Sequence, residues 1–205
     1  MRGRLGVTEA QLSNPVLHRD RASRPRYNGP LCNGHVHTIR GAFRPPIDLR
    51  APERETAPSY DGNPTCLDWW LPTDAEAADA TADGDAAAMR VRALVIILPG
   101  LTGSLKEFYV RRMARRLLRA NMATCVLNAR GMADTPLERS QIFSALFTKD
   151  LPHIMQAHMT REKVQERLLR RIPSLQSSGH HKGAAPIIGV AFSLGGLILT
   201  NYVSE

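Results

Sequence analysis

The sequence predicts an α/β protein built on a doubly wound, mostly parallel sheet, and three observations lead there. An unbroken apolar run, Ala93–Leu98 (ALVIIL), suits a strand buried on both faces, and Ala123–Leu127 (ATCVL) suits a second short apolar strand. Between them lies a segment of helical period, roughly Tyr109–Ala120. A third apolar run, Pro186–Ala191, passes through a serine–glycine turn into an apolar helix over Gly195–Val203. Strand, helix, strand, helix, strand, turn, helix is the rhythm of parallel strands with crossover helices.

Taken in order, residues 1–30 are polar, basic and aperiodic, and read as an arm. Thr65–Leu71 suits a strand, with turn chemistry at Asp61-Gly62 before it. Residues 74–88 (DAEAADATADGDAAA) are acidic, alanine-rich and of low complexity, as expected of a surface insertion between two strands. In the first helix Val110, Met113, Ala114, Leu117 and Leu118 recur on one face. Arg111, Arg112, Arg115, Arg116 and Arg119 take the other, which predicts a solvated basic face. A second helical region spans about Lys149–Arg171, and Ser177–Gly183 reads as a loop.

A length of 205 residues suits one domain, and 43% hydrophobic residues disfavour wholesale disorder. The charge of +8 comes from 27 basic against 19 acidic residues, spread over the arm and helix faces. With so few aromatics to stack bases, a nucleic-acid partner is not expected. Cys32, Cys66 and Cys125 have no metal-like spacing, so reduced thiols, no metal and a reducing compartment are expected. The N-terminus lacks the apolar core of a secretory signal, and no run reaches membrane-spanning length. The cytoplasm or the periphery of an internal membrane is the expected location, with peripheral membrane contact left open. The sequence is silent on oligomeric state.

The chemistry concentrates at Ala191-Phe192-Ser193-Leu194-Gly195-Gly196. A G-x-S-x-G turn between a strand and a helix projects a serine hydroxyl from the sheet's carboxyl edge, with small residues where the backbone passes close by. Here Ala191 takes the first glycine's place. A second segment, Leu98-Pro99-Gly100-Leu101-Thr102-Gly103-Ser104, directly follows the first buried strand. In such folds that loop gives one oxyanion-hole N–H and the residue after the nucleophile gives the other, so Leu101 and Leu194 are the candidates. A phosphate-cradling loop is the rival reading, but the lysine it needs after the last glycine is missing.

The order NGHVHT (33–38), DG…CLDWW (61–70), LPGLTGS (98–104), NARGMADTP (128–136) and FSLGG (192–196) resembles the α/β-hydrolase fold family. Within it, the segments look like the YheT-like and EMB8-like branch of abhydrolase-domain-containing esterases, from about Leu31 to the end. The resemblance implies a nucleophilic Ser193, an oxyanion hole at Leu101 and Leu194, and a family-type loop at Asn128–Gly131. It further implies hydrolysis of carboxylic, lipid or medium-chain acyl esters with no cofactor. A small ester or lipid is therefore the expected substrate. His35 and His37 fall in the family-like entry segment with their role open.

In this fold the triad runs Ser…Asp/Glu…His along the chain. All seven histidines (18, 35, 37, 153, 158, 180 and 181) precede Ser193. Asp134 and Asp150 come too early to be the family's acid, and His153 and His158 are expected on a helix surface. His180-His181 read as an exposed pair rather than a metal site. Residues 31–205 thus read as the N-terminal portion of a hydrolase domain, incomplete at its C-terminus and weak or inactive alone. A catalytically dead binding or scaffold protein is the alternative.

Overall fold

A computed structural model describes residues 46–73, 91–141, 143–144, 148–172 and 185–205. The arm, His35, His37, the acidic insertion and the His180-His181 loop lie outside the described residues. The strands are β1 (Glu53–Pro58), β2 (Pro64–Trp70), β3 (Leu94–Leu98), β4 (Ala123–Asn128) and β5 (Ile187–Ala191). The helices are α1 (Phe108–Arg119), α2 (Asp150–His158), α3 (Arg161–Arg171) and α4 (Leu194–Ser204). The strands form one sheet in the order β1-β2-β4-β3-β5. β2 is antiparallel to both β1 and β4, whereas β3 is parallel to β4 and to β5, so β2 alone runs against the rest.

Side chains alternate across a strand, and the sheet uses this to feed two cores. Leu94, Ile96 and Leu98 of β3 meet Leu151 and Ile154 of α2, Val164 and Leu168 of α3, and Ile198 of α4. Val95 and Ile97 point the other way, onto Val110, Ala114 and Leu118 of α1. The adjacent Trp69 and Trp70 split between the same two cores, each essentially fully buried. Each indole also finds an acceptor: Trp69 Nε1 donates to Glu55 (3.0 Å) and Trp70 Nε1 to the Arg50 carbonyl (2.8 Å). Helices on both faces give the doubly wound arrangement expected from the apolar runs.

Several local expectations change. Glu53–Pro58 (ERETAP) has no apolar alternation to announce a strand, yet it forms the outer strand β1, with only Ala57 buried. Its polar side chains are spoken for by neighbouring elements: Glu55 accepts from Trp69, His158 and Arg167. His158 is therefore a partner of the β1 edge rather than a surface histidine. The region 149–171 is two helices, because Thr160 leaves helical dihedrals (φ −64°, ψ 153°) and caps α3 by accepting from Lys163 N–H. β5, expected to be a buried strand, is the other edge of the sheet, and Ile188 is 42% exposed. The basic face of α1 is not solvated throughout, since Arg111 donates to the carbonyls of Ile47 and Leu49 (3.2 and 3.0 Å).

Two buried polar assemblies anchor the loops at the sheet's carboxyl edge. The Arg54 guanidinium grips the fully buried Asp68 carboxylate through two bonds of 2.8 Å and also donates to the Ala133 carbonyl (2.7 Å). The Arg130 side chain, fully buried, bridges Asp61 (2.6 Å) and Asp150 (2.7 Å). Asp61 reaches from the β1–β2 turn and Asp150 opens α2, so one guanidinium joins three segments. Burial opposes the Arg130 charge, but the bonds from both carboxylates outweigh it and raise its pKa. The hydrogen bond from Arg130, followed by that from Ser59, holds the Asp61 carboxyl well below the usual carboxylate range.

Removing Arg130 strands two carboxylates, so Arg130→Ala is expected to cost about 3–5 kcal/mol at pH 7. A depressed acid stabilises the fold fully above its unfolded pKa, about 4, and loses that contribution as pH falls towards its folded value. Urea unfolding of both proteins should therefore show a smaller difference at pH 3 than at pH 7. An equal difference at both would refute the assignment of this stability to the Arg130–Asp61 pair.

Candidate active site

At the carboxyl end of β5 the chain turns abruptly into α4. Ser193 stands at the bend with φ 48° and ψ −117°, an uncommon conformation for a residue with a side chain, costing on the order of 1–3 kcal/mol. Its neighbours hold it there. Phe192 N–H donates to the Leu98 carbonyl (3.0 Å), extending the β3–β5 ladder into the turn. Gly195 N–H then returns to Phe192 O (2.9 Å) and Gly196 N–H to Ser193 O (2.8 Å). A Cβ at Gly195 would lie 2.4 Å from Leu98 O and 2.6 Å from Pro99 O, so only glycine lets α4 start this close to the end of β3. At Gly196 an added Cβ would meet nothing. Leu194 opens α4, and its N–H is one of the first helical amides, which have no partner within the helix.

The loop after β3 lies against this turn. A Cβ built on Gly100 would sit 3.3 Å from Ser193 Cβ and 3.9 Å from Ser193 Oγ. Gly103 N–H donates to Gly100 O (2.9 Å), and Thr102 takes a left-handed φ of 57°, which makes the loop a tight, outward-facing turn. Leu105 N–H donates to Asn128 Oδ1 (2.9 Å), while Asn128 Nδ2 reaches Asp68 (2.5 Å) and the Cys66 carbonyl (3.2 Å). The far end of the loop is thereby tied to β4, and through Asp68 to β2. At the near end Tyr109 touches both segments: its ring lies 4.6 Å from that of Phe192, and its hydroxyl accepts from Gly100 N–H (3.4 Å).

The three residues singled out in the sequence meet. Leu101, Ser193 and Leu194 line one open cleft with Phe143, Ser144 and Leu197. Ser193 is exposed, and the leucine walls at 101 and 197 are 64% and 65% exposed. Asn128–Gly131 flanks the site structurally, through the side chains of Asn128 and Arg130. Tyr109, Phe143 and Ser144 went unnoticed in the sequence. Tyr109 stands in the first turn of the helix that follows the loop, from which its ring reaches back to Phe192 and its hydroxyl to Gly100.

Neither described histidine lines the cleft. His158 is engaged with Glu55 on β1 (2.8 Å), at the edge of the sheet opposite β5, and His153 packs edge-on against Tyr60 (6.5 Å between centroids). Asp134 pairs with Lys106 (2.7 Å), whose hydrogen bond lowers its pKa, and Asp150 is taken by Arg130. Among the described residues no group of three or more His, Cys, Asp or Glu is placed to hold a metal ion. No described helix is long and apolar enough to cross a membrane.

The glycine contacts separate two adjacent positions. Gly195→Ala forces a side-chain carbon into two backbone carbonyls and is expected to unfold the turn or cost several kcal/mol, on the order of 3 or more. Gly196→Ala, in open space within the first turn of α4, should be neutral or stabilising by up to about 1 kcal/mol. Thermal unfolding of the two variants side by side checks the pair, and equal effects would contradict the packing.

Among characterised proteins, the chain is similar to the embryogenesis-associated protein EMB8 of Picea glauca, 31% identical over 174 residues, which cover 84% of this chain and 32% of that protein. It is 28% identical to phospholipase ABHD3 of Homo sapiens over 162 residues, 79% of this chain and 32% of that one. The chain thus spans about a third of the length of these relatives. Among solved structures, a soluble variant of monoglyceride lipase from Saccharomyces cerevisiae matches with a TM-score of 0.47 and 18% identity, covering 78% of this chain and 41% of that one. No family model matches the sequence. The likeness to EMB8 extends over most of the chain, in which the serine turn closes a doubly wound sheet: the chain belongs to the α/β-hydrolase family, in its EMB8-like branch.

Proposed function

We propose that Ser193 is the nucleophile of a carboxylic-ester hydrolase, with the backbone N–H groups of Leu101 and Leu194 receiving the oxyanion. The observation that carries this reading is the strained turn at Ser193, which shares one cleft with both amide-bearing residues. In the reaction, Ser193 Oγ attacks the ester carbonyl carbon and its proton passes to a base. The carbonyl oxygen takes up negative charge beside the two amides, and collapse of the tetrahedral centre expels the alcohol, whose oxygen takes the proton back from the base. Water then releases the acid from the acyl-serine by the same steps. Removing one oxyanion donor of this kind costs about 3 kcal/mol in comparable sites. The apolar walls formed by Leu101, Phe143, Leu194 and Leu197 favour an aliphatic acyl group, in keeping with a relative named as a phospholipase. An ester of lipid or medium-chain acyl type is the substrate class this supports.

A serine hydroxyl is a weak nucleophile without a general base. With His153 and His158 engaged elsewhere, neither described histidine serves as the base in this reading. Residues 1–30 are taken as a basic arm and 31–205 as part of the hydrolase domain, interrupted by the insertion at 74–88. The absence of a histidine from the described cleft wall favours one second reading, a fold kept for binding without catalysis.

Reaction with a fluorophosphonate probe separates the two. Labelling at Ser193 that is lost in Ser193→Ala is expected of the hydrolase and would sink the binding-only reading; where no base reaches the serine, turnover of a p-nitrophenyl ester stays near the residual level of roughly 10³–10⁴ over water left by oxyanion contacts. A folded chain that resists the probe would overturn catalysis by this chain on its own and favour the binding protein.

A further inference from the structure

The outer face of α1 has no part in the site. Arg112, Arg116 and Arg119 are all exposed, and none is engaged in an ion pair or hydrogen bond among the described residues. At about 100° per residue the three lie within roughly 60° of one another around the helix axis, and at about 1.5 Å per residue they span roughly 10 Å. They form a straight stripe, opposite the buried Val110, Ala114 and Leu118.

This stripe is unfavourable for the helix alone. The sequence FYVRRMARRLLR holds no acidic residue, so the stripe arginines lack the oppositely charged neighbours at i+3 or i+4 that would offset their repulsion. Arg112–Arg116 and Arg115–Arg119 are like-charge pairs at i,i+4, and such pairs weaken a helix. The helix dipole favours Arg116 and Arg119 in the last turn but not Arg112, which lies nearer the N-terminus. Every cation is an arginine, whose planar fork binds a phosphate through two parallel bonds where lysine offers a point charge.

The geometry points to the α1 arginine stripe as a docking surface for an anionic phospholipid bilayer. Charge complementarity selects the partner: three exposed guanidinium groups along one line of a convex helix match a flat array of phosphodiesters. Single-stranded nucleic acid would call for aromatic rings to stack its bases, and the stripe offers none between its arginines. This docking is independent of what Ser193 does, and it places the basic face of α1, rather than the arm, at the membrane.

The test is co-sedimentation of the full chain with vesicles of phosphatidylcholine containing 30 mol% phosphatidylserine, against pure phosphatidylcholine, at about 0.1 M salt. Binding to the anionic vesicles only, weakening as salt rises, is expected. Each arginine near such a surface strengthens binding by about fivefold, so the triple variant Arg112→Gln, Arg116→Gln, Arg119→Gln should bind on the order of a hundredfold more weakly. Glutamine keeps the helix propensity, and circular dichroism checks that the variant folds. Should it not fold, the single charge reversal Arg112→Glu must still weaken binding by fivefold or more. Three outcomes overturn the proposal: no binding to anionic vesicles, undiminished binding by the folded variant, which would assign the contact to the arm, or tighter binding to DNA at equal phosphate concentration.

Discussion

The site depends on one backbone-to-backbone contact. Gly195 lies so close to the Leu98 and Pro99 carbonyls that any side chain there would overlap them, and this closeness brings the first turn of α4 against the end of β3. Because β3 is also the strand from which the loop at Gly100–Gly103 leaves, the same contact brings that loop beside Ser193. The parallel β3–β5 ladder sets the register up to Leu98↔Ala191, and the Phe192 N–H bond to Leu98 O carries it one residue into the turn. Three short segments, none of which could hold its shape alone, are fixed by this arrangement. The strained positive-φ conformation at Ser193 is flanked on both sides by fixed contacts: the ladder and the Tyr109–Phe192 packing before it and the glycine contact after it.

Polar groups buried at the same edge do a different job. A buried ion pair adds little net stability against an apolar replacement, since desolvation offsets much of the attraction. Its consequence is positional, because a buried charge that loses its partner is heavily penalised. Asp68 must find Arg54 and Asn128, and Arg130 must find Asp61 and Asp150, so few arrangements of the loops satisfy all of them. Asn128 is the pivotal residue. Its carbonyl holds Leu105 at the end of the site loop while its amide holds Asp68 inside the sheet, so a displacement of β2 would be felt at the loop through one side chain.

What the sequence made legible follows from where free energy is local. β3 announces itself because a strand buried on both faces needs an unbroken apolar run, β4 because Ala123–Leu127 is short and largely apolar, and α1 because a one-sided helix needs period 3.6. The serine turn was readable because its small residues answer a steric demand within six positions. β1 was not readable, since an edge strand is held by partners far along the chain: Arg54 pairs 14 residues on, and Glu55 more than 100 residues on. The same holds for Arg111, whose inward turn depends on carbonyls of the segment at 47–49. Site residues divide likewise. Ser193, Leu101 and Leu194 carry a motif, whereas Phe143 and Tyr109 contribute a position in space that no local pattern encodes.

α1 joins these levels in one rigid element. Its first turn carries Tyr109, which contacts both the loop and the serine turn, and its inner face anchors the core through Val110, Ala114 and Leu118. Its outer face carries the arginine stripe. From Tyr109 to Arg119 is ten residues, about 15 Å of continuous helix, with no break or glycine to act as a hinge. The helix that carries the arginines therefore also carries a ring packed against the serine turn, with no flexible link between the two.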